Sequence, residues 1–205
     1  MMRYLNLLIL VSLTAVSGCA RSGSHPYQSI SIQSRNPEQA IQLARQAAEL
    51  VETNPTKAEE LLRESLSLDL YCGPAHNNLG VVLFNRNELY EAAAEFEWAR
   101  KLMPGQDDPR VNLAITLERA GFVDDAINEL LSARETSRHS LEIAQPLAWM
   151  QLRYEKANQD TPEMLRLIAI RSTDPQWQMW AKDALSRQLI TRPVQKPFHS
   201  GQQGY

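Results

Sequence analysis

Residues 73–106 read GPAHNNLGVVLFNRNELYEAAAEFEWARKLMPGQ, and residues 107–140 read DDPRVNLAITLERAGFVDDAINELLSARETSRHS. The two segments superpose without a gap. Leu79 falls on Leu113, Gly80 on Ala114 and Leu83 on Leu117. Ala92 falls on Ala126, Phe96 on Leu130 and Ala99 on Ala133. Self-similarity at a fixed period marks a stack of supersecondary units, none of which buries its apolar face alone. The small residues belong where two helices of one hairpin cross closely, and the large ones fill the space beside the crossing. Asn87 and Gly121 share one register at the end of each first helix. Both residue types accept the left-handed conformation that closes a helix.

The pattern of large residue, Leu-Gly, aromatic or Leu, Ala, aromatic or Leu, Ala, and terminal Pro resembles the tetratricopeptide repeat (TPR) family. Residues 73–106 match nearly every position, Pro104 included, with His76 in place of the usual Trp. Residues 107–140 match six positions, with Arg110 and Arg138 as departures. The resemblance implies an all-α, right-handed solenoid of two-helix hairpins, A and B. It continues more weakly on both sides. Upstream, Leu43, Ala47 and Leu50 suit a helix A, and Thr56-Lys57-Ala58-Glu59 reads as a capping box opening helix B. Ala58, Leu62 and Ser65 precede Ala92, Phe96 and Ala99 by one period. Downstream, Leu147-Ala148 and Met164 follow Leu113-Ala114 and Leu130, and Thr161-Pro162 reads as an N-cap with proline at N1. Asp174-Pro175 opens one more helix to about Ile190, with Trp177, Trp180, Ala181, Ala184 and Leu185 on one side. A solenoid needs its open end covered, so this is a capping helix. The expected repeat domain spans 37–190, with about four hairpins.

The first residues read as an address. Met1-Met2-Arg3 is a short positive start, and Leu5–Val16 is a mostly apolar run. Twelve helical residues reach about 18 Å, short of the ~30 Å hydrocarbon core, as in a signal peptide. Val16-Ser17-Gly18-Cys19 resembles the bacterial lipobox, which implies processing of residues 1–18 and a diacylglycerol anchor on Cys19. Ala20 rather than Asp at the next position favours the outer membrane under the enterobacterial sorting rule. Residues 19–36 then read as a lipidated tether rich in Ser, Gly and Gln, with a short β-like piece at Ile30-Ser31-Ile32. Residues 191–205 read as a disordered tail.

Composition narrows the function. With 43% hydrophobic residues the chain of 205 can bury a core, and 21 Lys and Arg against 24 Asp and Glu leave no basic surface for nucleic acid. Removal of Arg3 makes the processed charge 20 − 24 = −4, so acyl chains must supply the membrane affinity. Cys72 has no second cysteine in the processed chain and reads as a small packed thiol. The four histidines lack metal-ligand spacing. No phosphate loop or nucleophile elbow is present. Asp107-Asp108 and Asp124-Asp125 read as caps and dipole partners. Neither an enzyme, nor a cofactor, nor a metal site is expected.

The resemblance implies a ligand face on the concave side, formed by helix A positions. Here these are Asn77, Val81, Phe84 and Asn85, then Val111, Asn112, Ile115 and Arg119, then Gln145, Trp149, Leu152 and Arg153. Val81, Ile115 and Trp149 share one register, an expected apolar track flanked by amides and arginines. Such a track suits an amphipathic helix or an extended apolar segment of a protein. Chaperone-binding members hold a C-terminal carboxylate with Lys and Asn. Here those positions are Asn77, Val81, Asn112, Glu142 and Pro146, and Glu142 repels a carboxylate. The architecture resembles pilotin-like lipoproteins and assembly factors of type IV or Tad-type pili, which implies an envelope interaction scaffold. An adaptor for cell-wall enzymes and a non-catalytic subunit of an enzyme complex stay open.

Overall fold

The computed structural model describes residues 35–191. Within them lie nine α-helices and no strand. They are α1 (Pro37–Ala48), α2 (Pro55–Leu68), α3 (Gly73–Asn85), α4 (Leu89–Leu102) and α5 (Asp108–Arg119). They continue as α6 (Val123–Thr136), α7 (Leu141–Arg153), α8 (Thr161–Arg171) and α9 (Pro175–Thr191). Successive pairs form four antiparallel hairpins, and α9 packs on α8 at the end of the stack. The A helices α1, α3, α5 and α7 lie side by side.

The repeat register is what the core obeys. Leu79, Leu113 and Leu147 are buried at equivalent positions of α3, α5 and α7. Phe96, Leu130 and Met164 are buried at equivalent positions of α4, α6 and α8. Gly80, Ala92, Ala99, Ala114, Ala126 and Ala133 are buried at the crossings. A Cβ on Gly80 would lie 2.6 Å from Phe96 Cε1, so this crossing has room for hydrogen only. The core forms two bodies, α1–α4 and α6–α9, joined through Leu113, Ala114 and Leu117 of α5. Trp177, Trp180, Ala181, Ala184 and Leu185 of α9 all pack on the second body. Each fully buried Leu, Ile, Phe or Met is worth about 1.5–3 kcal/mol relative to exposure.

The turns repeat as well. Asn87 has φ 64° and Gly121 has φ 92°. The next amide after each reaches back five residues into the helix, Glu88 to Leu83 O at 3.0 Å and Phe122 to Leu117 O at 2.8 Å. This is the glycine-type helix closure expected at that register. The α7–α8 hairpin closes identically on Glu155, φ 56°, with Lys156 N donating to Gln151 O at 2.7 Å.

Several local expectations are corrected. Helix α1 seats Ala40, Ala44 and Ala47 rather than Leu43, because alanine lets α1 approach its neighbours closely, and Leu50 packs on the first core body just beyond the helix. Ser65 takes the small-residue position of α2 and its Oγ donates to Ala40 O at 2.7 Å. Helix α2 begins at Pro55, capped by Asn54 Oδ1 on Lys57 N at 3.1 Å, so Thr56 is inside the helix and no capping box forms there. Asn36 and Pro37 open α1 in the same way, Asn36 Oδ1 accepting from Gln39 N at 3.2 Å. Arg35 pairs with the buried Asp69 at 2.7 Å. Thr161 is the first residue of α8 rather than its cap, and its buried Oγ1 donates to Gln151 Oε1 at 2.7 Å. Asp107 makes no side-chain cap bond; its Oδ1 accepts from Ser137 Oγ at 2.9 Å, tying α5 to the end of α6. Asp124 and Asp125 lie in the first turn of α6, where Asp124 meets Lys156 at 2.7 Å.

His76, which stands where the family has Trp, is fully buried. Its Nε2 donates to Leu70 O at 2.9 Å, its Nδ1 lies 2.6 Å from Glu95 Oε2, and its ring stacks on Trp98. A polar ring is tolerated in the core because both nitrogens have partners. Cys72 is buried at the start of α3. Cys19, the tether up to residue 34 and the tail from 192 lie outside the described residues.

Candidate functional site: a groove along the A helices

One stripe of helix α5 stays partly exposed beside the core. Asp108, Val111, Ile115 and Glu118 recur at intervals of three or four residues and so share a face. Helix α7 repeats the stripe one period later with Glu142, Gln145, Pro146 and Trp149. Leu113, Ala114 and Leu117 occupy the opposite side of α5 and hold it on the core. The two outward stripes, with Asn77 of α3 below and Trp177 of α9 above, line a groove of about 730 Å³. Met150 completes its floor. A groove of this size, apolar with a few polar groups, has the anatomy of a binding site.

Of the expected ligand residues, Asn77, Val111, Asn112, Ile115 and Trp149 line this groove, and so does Gln145. All six are half-buried. The amides are already engaged. Asn112 Nδ2 donates to Asn77 Oδ1 at 3.1 Å, and Gln145 Nε2 donates to Ser172 Oγ at 3.2 Å. These bonds fix the amide orientation across α3 and α5 and brace α7 on the α8–α9 turn.

The other expected residues lie elsewhere. Val81 and Phe84 pack against the first core body and do not line the groove. The apolar track therefore runs from Ile115 to Trp149 and Trp177, without Val81. Neither Arg119 nor Arg153 lines the groove itself. Arg119 lies over the Phe84 ring at 4.7 Å, and Arg153 lies 5.2 Å from the Trp149 ring and 5.7 Å from Tyr154. Each guanidinium covers an aromatic face, a contact worth about 0.5–1 kcal/mol at exposed sites. Arg153 and Leu152 line a second, smaller groove of about 570 Å³ with Trp180, Asp183, Ala184 and Arg187. Trp149 is shared between the two. Asn85 is exposed at the end of α3.

Sequence reasoning did not place Asp108, Glu118, Met150 or Trp177 in the site. The register carried a signal for one of them: Asp108 stands one period before Glu142. Trp177 carried none, since only packing determines that α9 brings it to the mouth of the groove. The result is a lining with three carboxylates and no basic side chain. Tyr154 OH donates to Glu118 Oε1. No ion pair engages Asp108, Glu118 or Glu142 among the described residues. Nor do three His, Cys, Asp or Glu side chains gather there as a metal site. No described helix is long and apolar enough to cross a membrane.

Solved structures carry the same architecture. The Cut9–Hcn1 hetero-tetramer of the APC/C matches at TM-score 0.59 and 22% identity, over 74% of this chain and 30% of that one. The fold is that of the TPR solenoids. Yeast Tom70 matches at TM-score 0.62 and 19% identity, over 76% of this chain and 34% of that one. MamA matches at TM-score 0.54 and 16% identity, over 74% of this chain and 83% of that one. This chain thus spans about a third of Cut9 and Tom70 and most of MamA. No protein-family model matches the sequence, and no curated protein matches it closely.

Proposed function

We propose that this TPR-like protein is a non-catalytic scaffold that holds a segment of a partner protein in the groove of α3, α5, α7 and α9. The observation that carries this reading is the apolar floor itself. Ile115, Trp149 and Trp177 remain accessible in a groove of about 730 Å³, although the same side chains pack against the core below. Relieving that exposed apolar area is worth roughly 25 cal/mol per Å² to a partner that covers it. Ile115→Glu places a carboxylate in this surface and leaves the buried face of α5 untouched. The expected outcome is an unchanged thermal melt and a loss of ten- to a hundredfold in partner recovery, measured by crosslinking pull-down from native membranes. Collapse of the fold would make Ile115 a core residue, and full recovery would place the binding surface elsewhere.

The lipobox-like Val16-Ser17-Gly18-Cys19 supports a second element of the proposal, a lipid anchor at Cys19 that holds the scaffold on the periplasmic face of the outer membrane. A lipoprotein with such repeats suits the assembly of a pilus or secretion apparatus, in the manner of pilotin-like proteins. Cys19→Ser should abolish labelling by a clickable palmitate and release the protein from the membrane pellet or leave it unprocessed. Unchanged labelling would remove the anchor. Genes for a secretin or pilus beside this one would favour assembly, and wall hydrolases would favour an adaptor for cell-wall enzymes.

A further inference from the structure

We infer that the groove selects a basic amphipathic protein segment, with Lys or Arg on both sides of an apolar centre. This rests on the groove reading above and specifies its ligand.

The floor is apolar where Val111, Ile115, Pro146 and Trp149 lie, and the ends are acidic. Asp108 and Glu142 occupy one register at the starts of α5 and α7. Glu118 lies ten residues beyond Asp108 on the same stripe, about 15 Å along the helix at 1.5 Å per residue. The carboxylates therefore bracket the apolar strip from end to end.

Helix electrostatics account for part of this arrangement but not for all of it. A carboxylate in a first turn is favoured by the helix dipole, which suits Asp108 and Glu142. Glu118 is in the last turn of α5, where the same dipole disfavours it. Its hydrogen bond from Tyr154 holds the carboxylate in place without neutralising it. Arg119 lies on Phe84, and Arg153 on Trp149 and Tyr154. Glu129 of α6, by contrast, is answered by Arg100 and Arg110 at 3.0 and 2.9 Å. Among the described residues no such partner meets Asp108, Glu118 or Glu142.

A segment with cations about 15 Å apart and apolar side chains between them complements this pattern. That spacing is about ten residues of helix or four to five of extended chain. An acidic segment would place like charges at both ends of a partly desolvated groove, which steers it away.

Fluorescence anisotropy with three labelled 12-residue peptides tests the inference on the full-length chain in detergent. All three carry Leu and Trp at the same central positions, with Lys, Ser or Glu at the flanking positions. The Lys peptide should bind at least tenfold more tightly than the Ser peptide, and the Glu peptide more weakly still. The advantage should shrink as ionic strength rises, since exposed charge pairs are screened. Asp108→Lys and Glu142→Lys should each reduce the preference, and Glu64→Lys on α2 should leave it unchanged. Equal binding of all three peptides, weakened alike by Ile115→Ser, would overturn the charge preference and leave the groove reading standing. Binding that Ile115→Ser does not alter would overturn both. The segment 192–205 has comparable chemistry, with Arg192 and Lys196 beside Val194 and Phe198. Tenfold tighter binding by a chain ending at Thr191 would mean that the groove is filled from within, and would overturn a partner supplied in trans.

Discussion

Replacing Gly80 with alanine adds one methyl group where α3 crosses α4. The new Cβ would lie 2.6, 2.8 and 2.9 Å from Cε1, Cδ1 and Cζ of Phe96. The ring is 1% exposed, and its neighbours are themselves buried, so it cannot retreat by a rotamer change. Overpacking of a filled core costs typically about 1–3 kcal/mol. Alanine recovers about 1 kcal/mol of helix propensity over glycine. The single variant should therefore lose roughly 0–2 kcal/mol, and a melting temperature moves by about 2–4 °C per kcal/mol in a domain of this size. So small a margin decides little alone, but the next repeat supplies a sharper test. At the same register it pairs Ala114 with Leu130, both fully buried. The larger residue on one helix accompanies the smaller one on the other. Phe96→Leu alone should lose on the order of 1 kcal/mol to the space it leaves. The double variant Gly80→Ala/Phe96→Leu rebuilds the pairing of the second repeat inside the first. The two changes should couple by about 1–3 kcal/mol in the favourable direction, as contacting residues do. The assay is a double-mutant cycle of urea melts followed by far-ultraviolet circular dichroism, with midpoint and slope fitted together. Strictly additive losses would refute the view that the two repeats solve one packing problem in two ways.

Ala126→Leu forces an isobutyl group into the equivalent crossing of α5 and α6 and should cost about 1–3 kcal/mol, read as a lower circular dichroism midpoint; an unmoved melt would mean the register is wrong. Glu155 holds a left-handed backbone that costs an L-residue roughly 1–2 kcal/mol. Glu155→Gly should raise stability by about 0.5–1 kcal/mol after the added chain entropy of glycine, and a lower midpoint would show that the Glu side chain makes an unrecognised contact. Burial pushes the Glu59 carboxyl up, but hydrogen bonds and charge from Arg63 and Arg86 outweigh it and hold its pKa below the ordinary range. A depressed folded pKa contributes stability above the unfolded value of about 4.3, and that contribution is lost as pH falls through the folded value. The midpoint gap between the wild type and Glu59→Gln should thus be present at neutral pH and close in acid; a gap constant with pH would refute the linkage.

How much of this was legible beforehand follows from the distance over which each feature is decided. The Leu-Gly…Ala…Phe…Ala spacing fixes the hairpin, because helix periodicity and the size of crossing residues are local properties of the chain. It located the buried rows Leu79–Leu113–Leu147 and Phe96–Leu130–Met164 and the turns at Asn87 and Gly121. The caps of α2 and α8 were shifted by one or two residues, since neighbouring polar residues compete for one capping role. Asn54 wins over Thr56 because Pro55 presets the first turn behind it. Glu155 carries no sequence signal because nothing in its chemistry announces a left-handed backbone; the two hairpin helices around it impose one.

The site divides along the same line. The sequence by itself determined which positions face outward, because they interleave with the core positions of each A helix at fixed spacing. It did not determine which outward positions share a groove. That depends on how far each hairpin turns relative to the next and on where α9 returns, quantities summed over contacts between helices distant in sequence. Tertiary packing left Val81 and Phe84 half-buried beside the first core body, off the groove, and turned Arg119 and Arg153 onto aromatic rings. It brought Trp177 to the groove mouth and left Asp108, Glu118 and Glu142 as the charges that line it. Periodicity sets the face of a helix, whereas the sign of a groove is set by which faces meet.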